Sequence, residues 1–302
     1  MGWALVFSGQ GLQHPGMLPW LQRDAIVESL EAELGADWRD RLAVPEEAAH
    51  NRRAQVLLTA TSCAAWEQLQ PWVEPPALIA GYSVGELAAF SAAGVFDARK
   101  AVELAGQRAD AMDRAAAAAA TGLLGVSGAA HGGIEALCAR FDLDVAIRID
   151  HGTAVIGGLR LSLQHATAEA AARGWNCTPL NVQMASHTRW MRPAAESFDQ
   201  VLAGVNLKGP AQPLFSNALG RVRDATAARA ALARQIAQTV AWDECMDAIA
   251  ERGVHAVLEI GPGAALARMW QERHAHVPAR SVDEFRSAPA IVAWLTRHLG
   301  RS

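Results

Sequence analysis

Clustered positive charge is absent from this chain of 302 residues. Its 27 basic and 31 acidic residues give a formal net charge of −4, and no run of lysine or arginine occurs among them. Proteins that bind nucleic acid or anionic membranes concentrate positive charge in one patch. The charge pattern therefore predicts no nucleic-acid partner and no membrane partner, and it favours a small molecule or another protein.

Cysteine is scarce, and its spacing is not that of a metal site or a disulfide framework. The four cysteines lie far apart, without a CxxC pair or a histidine–cysteine cluster: Cys63, Cys138, Cys177 and Cys245. We expect buried thiols at these positions and no metal site.

Long apolar segments are missing as well. The chain begins with MGWALVF, which has no basic segment and fits a first β-strand, and the alanine run at 115–120 is short and follows charged residues. A signal peptide begins with a basic segment, and a membrane span needs about 20 apolar residues. The sequence therefore predicts a soluble, cytoplasmic protein.

Short apolar runs alternate with longer amphipathic segments along the chain. This alternation predicts an α/β protein whose largely parallel sheet is covered by helices. The expected strands are Ala4–Phe7, Leu78–Ala80, Leu123–Val126, Val145–Ile149, Ala154–Ile156, Thr178–Val182, Pro213–Ser216 and Ala256–Ile260. The expected helices are Val84–Ala93, Ala98–Ala118, Gly133–Phe141, Ser162–Arg173, Arg192–Leu202, Thr226–Ala237 and Trp242–Arg252.

The middle of the chain has its own order of elements. It reads strand–helix–strand–strand–helix–strand, which is typical of a ferredoxin-like unit. We therefore predict a small ferredoxin-like subdomain at 122–179. It would be inserted into a large α/β catalytic domain that comprises 1–121 and 180–302.

The pentapeptide Gly81-Tyr82-Ser83-Val84-Gly85 has the GxSxG pattern of a nucleophile elbow. An apolar run precedes it and an alanine-rich helical pattern follows it, which is the strand–turn–helix context that the motif requires. The glycines allow a tight reversal that exposes the serine Oγ, and the helix N-terminus favours negative charge beside it. This context favours a catalytic Ser83 over a glycine turn with an incidental serine.

Three further segments contain candidates for supporting chemistry. The glycines at 9–11 would leave the Gln10 N–H facing a pocket, where it and the Val84 N–H would stabilise an oxyanion; a simple strand-exit turn is the alternative. His187 is one of ten histidines, any of which can be a packing residue, but imidazole suits a general base. Arg108 lies on a predicted helix, where a solvated face is the alternative.

In their order along the chain, these motifs resemble the malonyl-CoA:acyl carrier protein acyltransferase family, which includes acyltransferase domains of polyketide and fatty acid synthases. The resemblance extends over nearly the whole chain. Its landmarks are Gly9-Gln10-Gly11, Gln55, the elbow Gly81–Gly85 followed by Glu86, Arg108, Ser186-His187, Arg234-Gln235 before Trp242, and Glu259-Ile260-Gly261-Pro262-Gly263.

The resemblance implies a large α/β-hydrolase-like acyltransferase domain and a set of site residues. These are the nucleophile Ser83, the base His187, the oxyanion-hole amides of Gln10 and Val84, the carboxylate-binding Arg108, and the supporting residues Gln55 and Gln235. The backbone carbonyl of Gln235 would orient the histidine. The implied reaction moves a malonyl group from malonyl-CoA to the phosphopantetheine-type thiol of an acyl carrier protein through a seryl ester, without a permanently bound cofactor.

Several positions depart from the usual family pattern. Ser8 stands where proline is usual, Tyr82 stands where histidine is usual, and Ile149-Asp150-His151-Gly152 replaces an asparagine-rich turn that helps to bind the pantetheine arm. With these departures, the sequence resembles the epsilon subunit of malonate decarboxylase, which charges the carrier subunit of that enzyme. The expected acceptor is therefore either an acyl carrier protein of fatty acid synthesis or a decarboxylase carrier subunit.

Functions of other classes are also compatible with the elbow. An α/β-hydrolase-type esterase or thioesterase would pair the same serine with a histidine near the C-terminus, either His274 or His276. A patatin-like lipase would use a serine–aspartate pair. A non-catalytic carrier-binding module would keep the fold without a working Ser83.

Overall fold

A computed structural model of the chain describes residues 2–300. Contacts between residues divide the chain into two units. Unit 1 comprises Met1–Gly106, Asn206–Ala228 and Cys245–Ser302, and unit 2 comprises Gln107–Val205 and Arg229–Glu244. Across the described part of the chain, every helix is too short or too polar to span a membrane.

Both units contain strands and helices. The strands are β1 Gly2–Phe7, β2 Leu78–Gly81, β3 Thr121–Ser127, β4 Asp144–Arg148, β5 Ala154–Leu159, β6 Asn176–Pro179, β7 Leu214–Ser216, β8 Gly220–Val222, β9 Val240–Ala241, β10 Val254–Ile260 and β11 Ala279–Ser281. The helices are α1 Ala25–Leu34, α2 Trp38–Arg41, α3 Pro45–Ala49, α4 Asn51–Leu69, α5 Gly85–Ala92, α6 Ala98–Ala116, α7 Gly133–Phe141, α8 Arg160–Ala172, α9 Arg192–Ala203, α10 Ala225–Arg234, α11 Trp242–Ala250, α12 Ala265–Arg273 and α13 Ala288–Leu299.

Unit 1 is built on a six-stranded sheet with the strand order β11-β10-β1-β2-β7-β8. Every neighbouring pair is parallel except the hairpin of β7 and β8. Strand β1 is buried from Trp3 to Phe7, as is typical of a parallel strand that is covered on both faces. Phe7 pairs with Gly81 on one side and with Ile260 on the other. The carboxyl ends of β1, β2 and β10 therefore lie side by side at the same end of the sheet's strands.

Helix α4 forms much of the helical layer of unit 1. Its residues from Ala54 to Trp66 are buried without interruption, and it packs against α1 and against α5. One apolar cluster of this layer consists of Met17, Leu30, Trp38, Val56, Leu57 and Ala60. Helix α5 in turn packs on β1 and β2. The helix that follows Ser83 is thus held between the sheet and α4.

Unit 2 contains a five-stranded sheet with the order β6-β3-β5-β4-β9. The pairs among β6, β3, β5 and β4 are antiparallel, and β9 pairs with β4 in parallel. Helices α7 and α8 cover this sheet through an apolar cluster that includes Leu124, Ile134, Leu137, Ile156 and Ala166. Along the chain the elements follow the order β3-α7-β4-β5-α8-β6, which is the order of a ferredoxin-like unit.

The α/β class and the mainly parallel sheet of the sequence analysis are confirmed. One strand was predicted out of place, because β6 occupies Asn176–Pro179 and ends before Leu180 and Val182. It is an edge strand whose residues are mostly exposed, so it lacks the apolar alternation that marks a strand in sequence. Unit 2 extends beyond 122–179 at both ends, and the subdomain boundaries stay a prediction.

Candidate active site

Ser83 occupies the turn between β2 and α5 in unit 1. The strand ends at Gly81 and the helix begins at Gly85, so the strand–turn–helix context predicted for the elbow is present. Ser83 has a φ angle of +55°, in the left-handed region that L-residues other than glycine rarely adopt. Such backbone strain persists only where the surroundings impose it, and it is concentrated at functional sites.

The two glycines of the elbow are required by close backbone contacts. A Cβ atom on Gly81 would lie 2.3 Å from the carbonyl carbon of Gly85, and one on Gly85 would lie 2.4 Å from the carbonyl oxygen of Phe7. Real Cβ atoms do not approach backbone atoms so closely, so any larger residue would push the strand and the helix apart. The GxSxG pattern therefore follows from the tightness of this turn.

Gln10 lies in the loop that leaves β1, at the same edge of the sheet as the elbow. The N–H of Tyr82 donates a hydrogen bond of 2.9 Å to the carbonyl oxygen of Phe7, which ties the two segments together. The loop is braced by Gln13, whose Oε1 accepts the N–H of Gly11 at 2.8 Å. The loop that carries Gln10 and the turn that carries Val84 are thus neighbours within unit 1.

Asp283 fixes the far end of the same loop. Its Oδ1 accepts the backbone N–H of Leu18 at 2.5 Å, and its Oδ2 accepts the backbone N–H of Gly263 at 2.7 Å. Oδ2 also lies 2.8 Å from Nε2 of His14. One carboxylate therefore joins the loop after β1 to the loop after β10.

Gln55 is buried on α4, with 1% of its surface exposed. Its Nε2 donates a hydrogen bond of 2.8 Å to Oδ1 of Asn51, one turn earlier. Because α4 packs on α5, Gln55 belongs to the helical layer that supports the elbow helix.

His187 is held by two contacts with the segment that follows α10 in unit 2. Its Nδ1 lies 2.6 Å from the carbonyl oxygen of Gln235, and its backbone N–H donates to the carbonyl oxygen of Ile236 at 2.9 Å. A carbonyl oxygen only accepts hydrogen bonds, so Nδ1 carries the proton in this arrangement. The lone pair is then on Nε2, which is the atom that would accept a proton from a nucleophile.

The surroundings of His187 keep its ring neutral. Burial, followed by the positive charge of Arg108, lowers the pKa of His187 to about 3, although the hydrogen bond to Gln235 acts in the opposite direction. A neutral imidazole at pH 7 is the form that a general base requires.

Arg108 is buried on α6, with 1% of its surface exposed, so the alternative of a solvated helix face is wrong. Its Nη2 donates a hydrogen bond of 3.3 Å to Oε1 of Gln235. Gln235 thus contacts Arg108 through its side chain and His187 through its backbone carbonyl. A guanidinium that is enclosed in this way is suited to a planar carboxylate, which it binds with two charge-assisted hydrogen bonds.

The C-terminal histidines lie away from the elbow. Helix α12 starts past the carboxyl end of β10 and runs back for about 13 Å, and His274 follows its last residue. There the ring of His274 packs on Trp270, with ring centroids 4.5 Å apart, and Nε2 lies 3.7 Å from Oδ1 of Asp247. Because β10 and β11 are parallel, the helix between them leads away from the carboxyl ends of the strands, where Ser83 lies. His274 and His276 follow the far end of this helix, which disfavours the hydrolase alternative.

The structure adds little that would hold a metal. Between residues 2 and 300, no group of three or more histidine, cysteine, aspartate or glutamate side chains has metal-binding geometry. Cys63, Cys138 and Cys245 are buried and Cys177 is half-buried. Burial raises the pKa of the Cys63 thiol to about 12, so this thiol is not a nucleophile at neutral pH.

Asn217 was not among the site residues predicted from the sequence. Its Oδ1 accepts the backbone N–H of Ser83 at 2.8 Å. The available signal was its position directly after the predicted strand Pro213–Ser216, at the carboxyl edge of a parallel sheet, where catalytic residues gather.

Comparisons with known proteins give consistent matches over most of the chain. The sequence profile of a family described as "Acyl transferase domain" matches residues 4–292. The chain is 32% identical over 289 residues to a malonyl CoA-acyl carrier protein transacylase of Mycobacterium tuberculosis, which covers 92% of this chain and 95% of that protein.

Two solved structures have similar folds. The crystal structure of an acyl-carrier-protein S-malonyltransferase from Burkholderia pseudomallei gives a TM-score of 0.89 at 29% identity and covers 97% of this chain and 100% of its own. A type II polyketide synthase acyl carrier protein in complex with its malonyl-transacylase gives a TM-score of 0.89 at 31% identity, over 97% of this chain and 99% of the matched chain.

Proposed function

This chain belongs to the acyl transferase domain family, and on that premise we propose that it transfers a malonyl group from malonyl-CoA to the thiol of an acyl carrier protein. The observation that carries the proposal is the arrangement around Gln235, which contacts a buried arginine and a neutral histidine at once. A base and a carboxylate-binding cation are the two groups that malonyl transfer by a serine requires. The names of the relatives support the same reaction.

Arg108 is the proposed binding group for the malonyl carboxylate. The planar guanidinium matches the two carboxylate oxygens, and burial strengthens the charge-assisted hydrogen bonds. An acetyl group has no carboxylate and cannot form these two charge-assisted hydrogen bonds. Arg108 is therefore expected to select malonyl over acetyl.

Acylation is the first half of the proposed reaction. Nε2 of His187 takes the proton of the Ser83 hydroxyl while Oγ attacks the thioester carbonyl. The backbone N–H groups of Gln10 and Val84 donate to the oxyanion. When the carbon–sulfur bond breaks, the proton passes from His187 to the departing CoA sulfur, and the malonyl ester of Ser83 remains.

Deacylation repeats these steps in reverse with the carrier. The carrier thiol gives its proton to Nε2 of His187 and its sulfur attacks the seryl ester. Ser83 leaves with the proton, and a new thioester forms. Because one thioester replaces another, the reaction is close to thermoneutral, and the enzyme needs mainly to protect the ester from water.

The proposed acceptor is an acyl carrier protein. The malonyl-transacylase structure described above contains such a carrier. The carrier subunit of malonate decarboxylase is the second candidate, and only the sequence departures at Ser8, Tyr82 and 149–152 favour it.

A transfer assay with isotopically labelled malonyl-CoA tests the proposal. The purified chain is incubated with an acyl carrier protein that bears phosphopantetheine, with a decarboxylase carrier subunit, or with neither. We expect label on the acyl carrier protein and CoA release in equal amount. Free malonate as the product in all three mixtures would instead show a thioesterase.

A further inference from the structure

In unit 1, the residue that follows a neighbouring strand forms side-chain hydrogen bonds with the elbow. We propose that Asn217 is the positioning residue of the nucleophile, and that its carboxamide holds Ser83 in the left-handed conformation needed for the transfer proposed above. This role rests on the proposed function of Ser83 but concerns a residue outside the acid–base and oxyanion groups.

Sheet register brings Asn217 beside the elbow. Strand β7 pairs with β2 in parallel, with Ile79 opposite Leu214 and Ala80 opposite Phe215. Asn217 directly follows β7, so it lies next to the turn that follows β2. The contact joins residues 134 positions apart in sequence, and it is made possible by the pairing of these two strands.

Asn217 binds the strand end, the turn and the first helical turn of the elbow. Its Oδ1 accepts the N–H of Ser83 at 2.8 Å, and its Nδ2 donates to the carbonyl oxygen of Gly81 at 2.5 Å. Its own backbone N–H donates to Oε1 of Glu86 at 2.5 Å. Asn217 is 2% exposed and Glu86 is fully buried, so water does not compete for these hydrogen bonds.

These hydrogen bonds stabilise the strained backbone conformation of Ser83. A left-handed backbone is unfavourable for serine because its Cβ crowds the following carbonyl, and the conformation at +55° needs external support. A carboxamide is suited to this task, since it accepts and donates from one planar group. Aspartate would keep the acceptor but lose the donor, and it would bring a second carboxylate beside Glu86.

The hydrogen bond to the Ser83 N–H constrains the backbone directly before the Ser83 Cα. The N–H of Ser83 sets the peptide plane before the nucleophile, and the N–H of Val84 follows directly after it. A misplacement of about 1 Å in a reacting group costs about 100-fold in rate. Loss of the Asn217 carboxamide is therefore expected to slow chemistry at Ser83 far more than it changes substrate binding.

The test measures the reactivity of Ser83 with phenylmethanesulfonyl fluoride, which reacts with an activated serine hydroxyl and releases fluoride. The variants are Asn217→Ala and Asn217→Asp, and the matched controls are Asn206→Ala and Asn206→Asp at an exposed asparagine. Circular dichroism and thermal melting establish which variants are folded. A parallel series measures the single-turnover acylation rate and the half-saturating concentration of malonyl-CoA.

We expect both Asn217 variants to slow sulfonylation and acylation by about 100-fold, while half-saturation changes less than about 3-fold and the controls match the wild type. A reduction below about 10-fold in a folded variant, or a change confined to half-saturation, overturns the proposal. Because sulfonylation needs no malonyl group, failure of malonyl transfer in the wild type is distinguished from failure of this inference.

Hydrogen exchange of the Ser83 amide gives a readout that does not depend on a variant. In the wild type, this amide should exchange slowly in peptides that isolate it, because its N–H is donated to a buried acceptor. In folded Asn217→Ala it should exchange faster, with little change elsewhere. If neither Asn217 variant folds, exchange of the wild-type amide at the rate of an unprotected amide overturns the proposal, and slow exchange supports it.

Discussion

Gln235 presents its backbone carbonyl oxygen 2.6 Å from Nδ1 of His187. The carbonyl fixes the tautomer of the imidazole without adding a negative charge, whereas the aspartate of a serine protease triad stabilises the charged imidazolium. Since no anion faces the ring in this contact, burial and the nearby Arg108 lower the pKa of His187 to about 3. The base is therefore expected to work without titrating in the physiological range.

This pKa predicts the acidic limit of acylation. A base is active when neutral, so the acylation rate should stay constant from pH 8 to about pH 5 and fall only as pH approaches the pKa of His187. Single-turnover acylation at each pH measures it. A fall centred near pH 6.5, the ordinary value for histidine, would contradict this account of the environment of His187.

Arg108 should also affect the pH below which acylation becomes slower. Its positive charge contributes to the low pKa of His187, so Arg108→Gln is expected to raise this pKa and move the acidic limit to higher pH. Acylation by an uncharged acyl-CoA measures the limit without the carboxylate. An unchanged limit in the variant would mean that burial alone determines the pKa.

Replacement of the base should abolish most of the rate. His187→Ala is expected to lower the acylation rate by roughly 10³-fold or more, as for other serine–base pairs. His274→Ala is the matched control, because this histidine follows the far end of α12. Its replacement should leave the rate unchanged. The reverse pattern would support the hydrolase alternative, and full activity in both variants would favour a serine–aspartate pair.

Selectivity for malonyl is expected to depend on Arg108. Arg108→Ala should lose about 3–5 kcal/mol of malonyl transition-state binding, the cost of leaving a buried charge without its partner, while acetyl transfer falls little or rises. Lysine should restore only part of the loss, since it lacks the planar fork. The values of kcat/KM for malonyl-CoA and acetyl-CoA measure the selectivity.

Arg99→Ala is the control for this series, because Arg99 is an exposed arginine on the same helix. Equal losses for malonyl and acetyl in Arg108→Ala would identify Arg108 as a structural residue and leave the carboxylate specificity without support.

Glu259 should make the stability of the protein depend on pH. Burial raises the pKa of Glu259 from 4.5 to about 7, and its Oε2 accepts the N–H of Ala267 at 2.8 Å. Below pH 4.5 both folded and unfolded states are protonated. Between pH 4.5 and 7 only the unfolded state ionises, so the contribution of this group to stability is lost as pH rises through that window.

Glu259→Gln removes this titration and retains an acceptor for the N–H of Ala267. The free energy of unfolding of the variant should therefore increase relative to that of the wild type as pH rises from 4.5 to 8, by up to about 3 kcal/mol. Urea denaturation at each pH measures the difference, with the exposed Glu251→Gln as a control for charge loss. A constant difference between Glu259→Gln and the wild type across this range would show that Glu259 is ionised in the folded protein.

Features that depend on local sequence were predictable. The elbow was predicted from five consecutive residues, because its close glycine contacts and its strand–turn–helix context are all local.

Helix α4 was not predicted, since it is buried on all sides from Ala54 to Trp66 and so lacks the polar face that gives a helix its periodicity in sequence.

Features that depend on tertiary contacts were not predictable. The sequence left open a solvated face for Arg108, and only the packing of α6 shows its burial. The hydrogen bond between Ser83 and Asn217 depends on the pairing of β2 with β7, and a single sequence does not reveal which strands are neighbours. The edge strand β6 was misplaced because exposed strands have little apolar pattern.

Ser83 is proposed to carry the malonyl group, and the mass of the intact protein after brief exposure to malonyl-CoA gives the decisive test. We expect a stable addition of one malonyl group that survives denaturation, maps to the peptide containing Ser83, and disappears when an acyl carrier protein is added. Ser83→Ala should show no addition, while Ser91→Ala on the elbow helix should match the wild type. A malonyl adduct that persists on Ser83→Ala, or its absence from the wild type while transfer proceeds, would contradict the account.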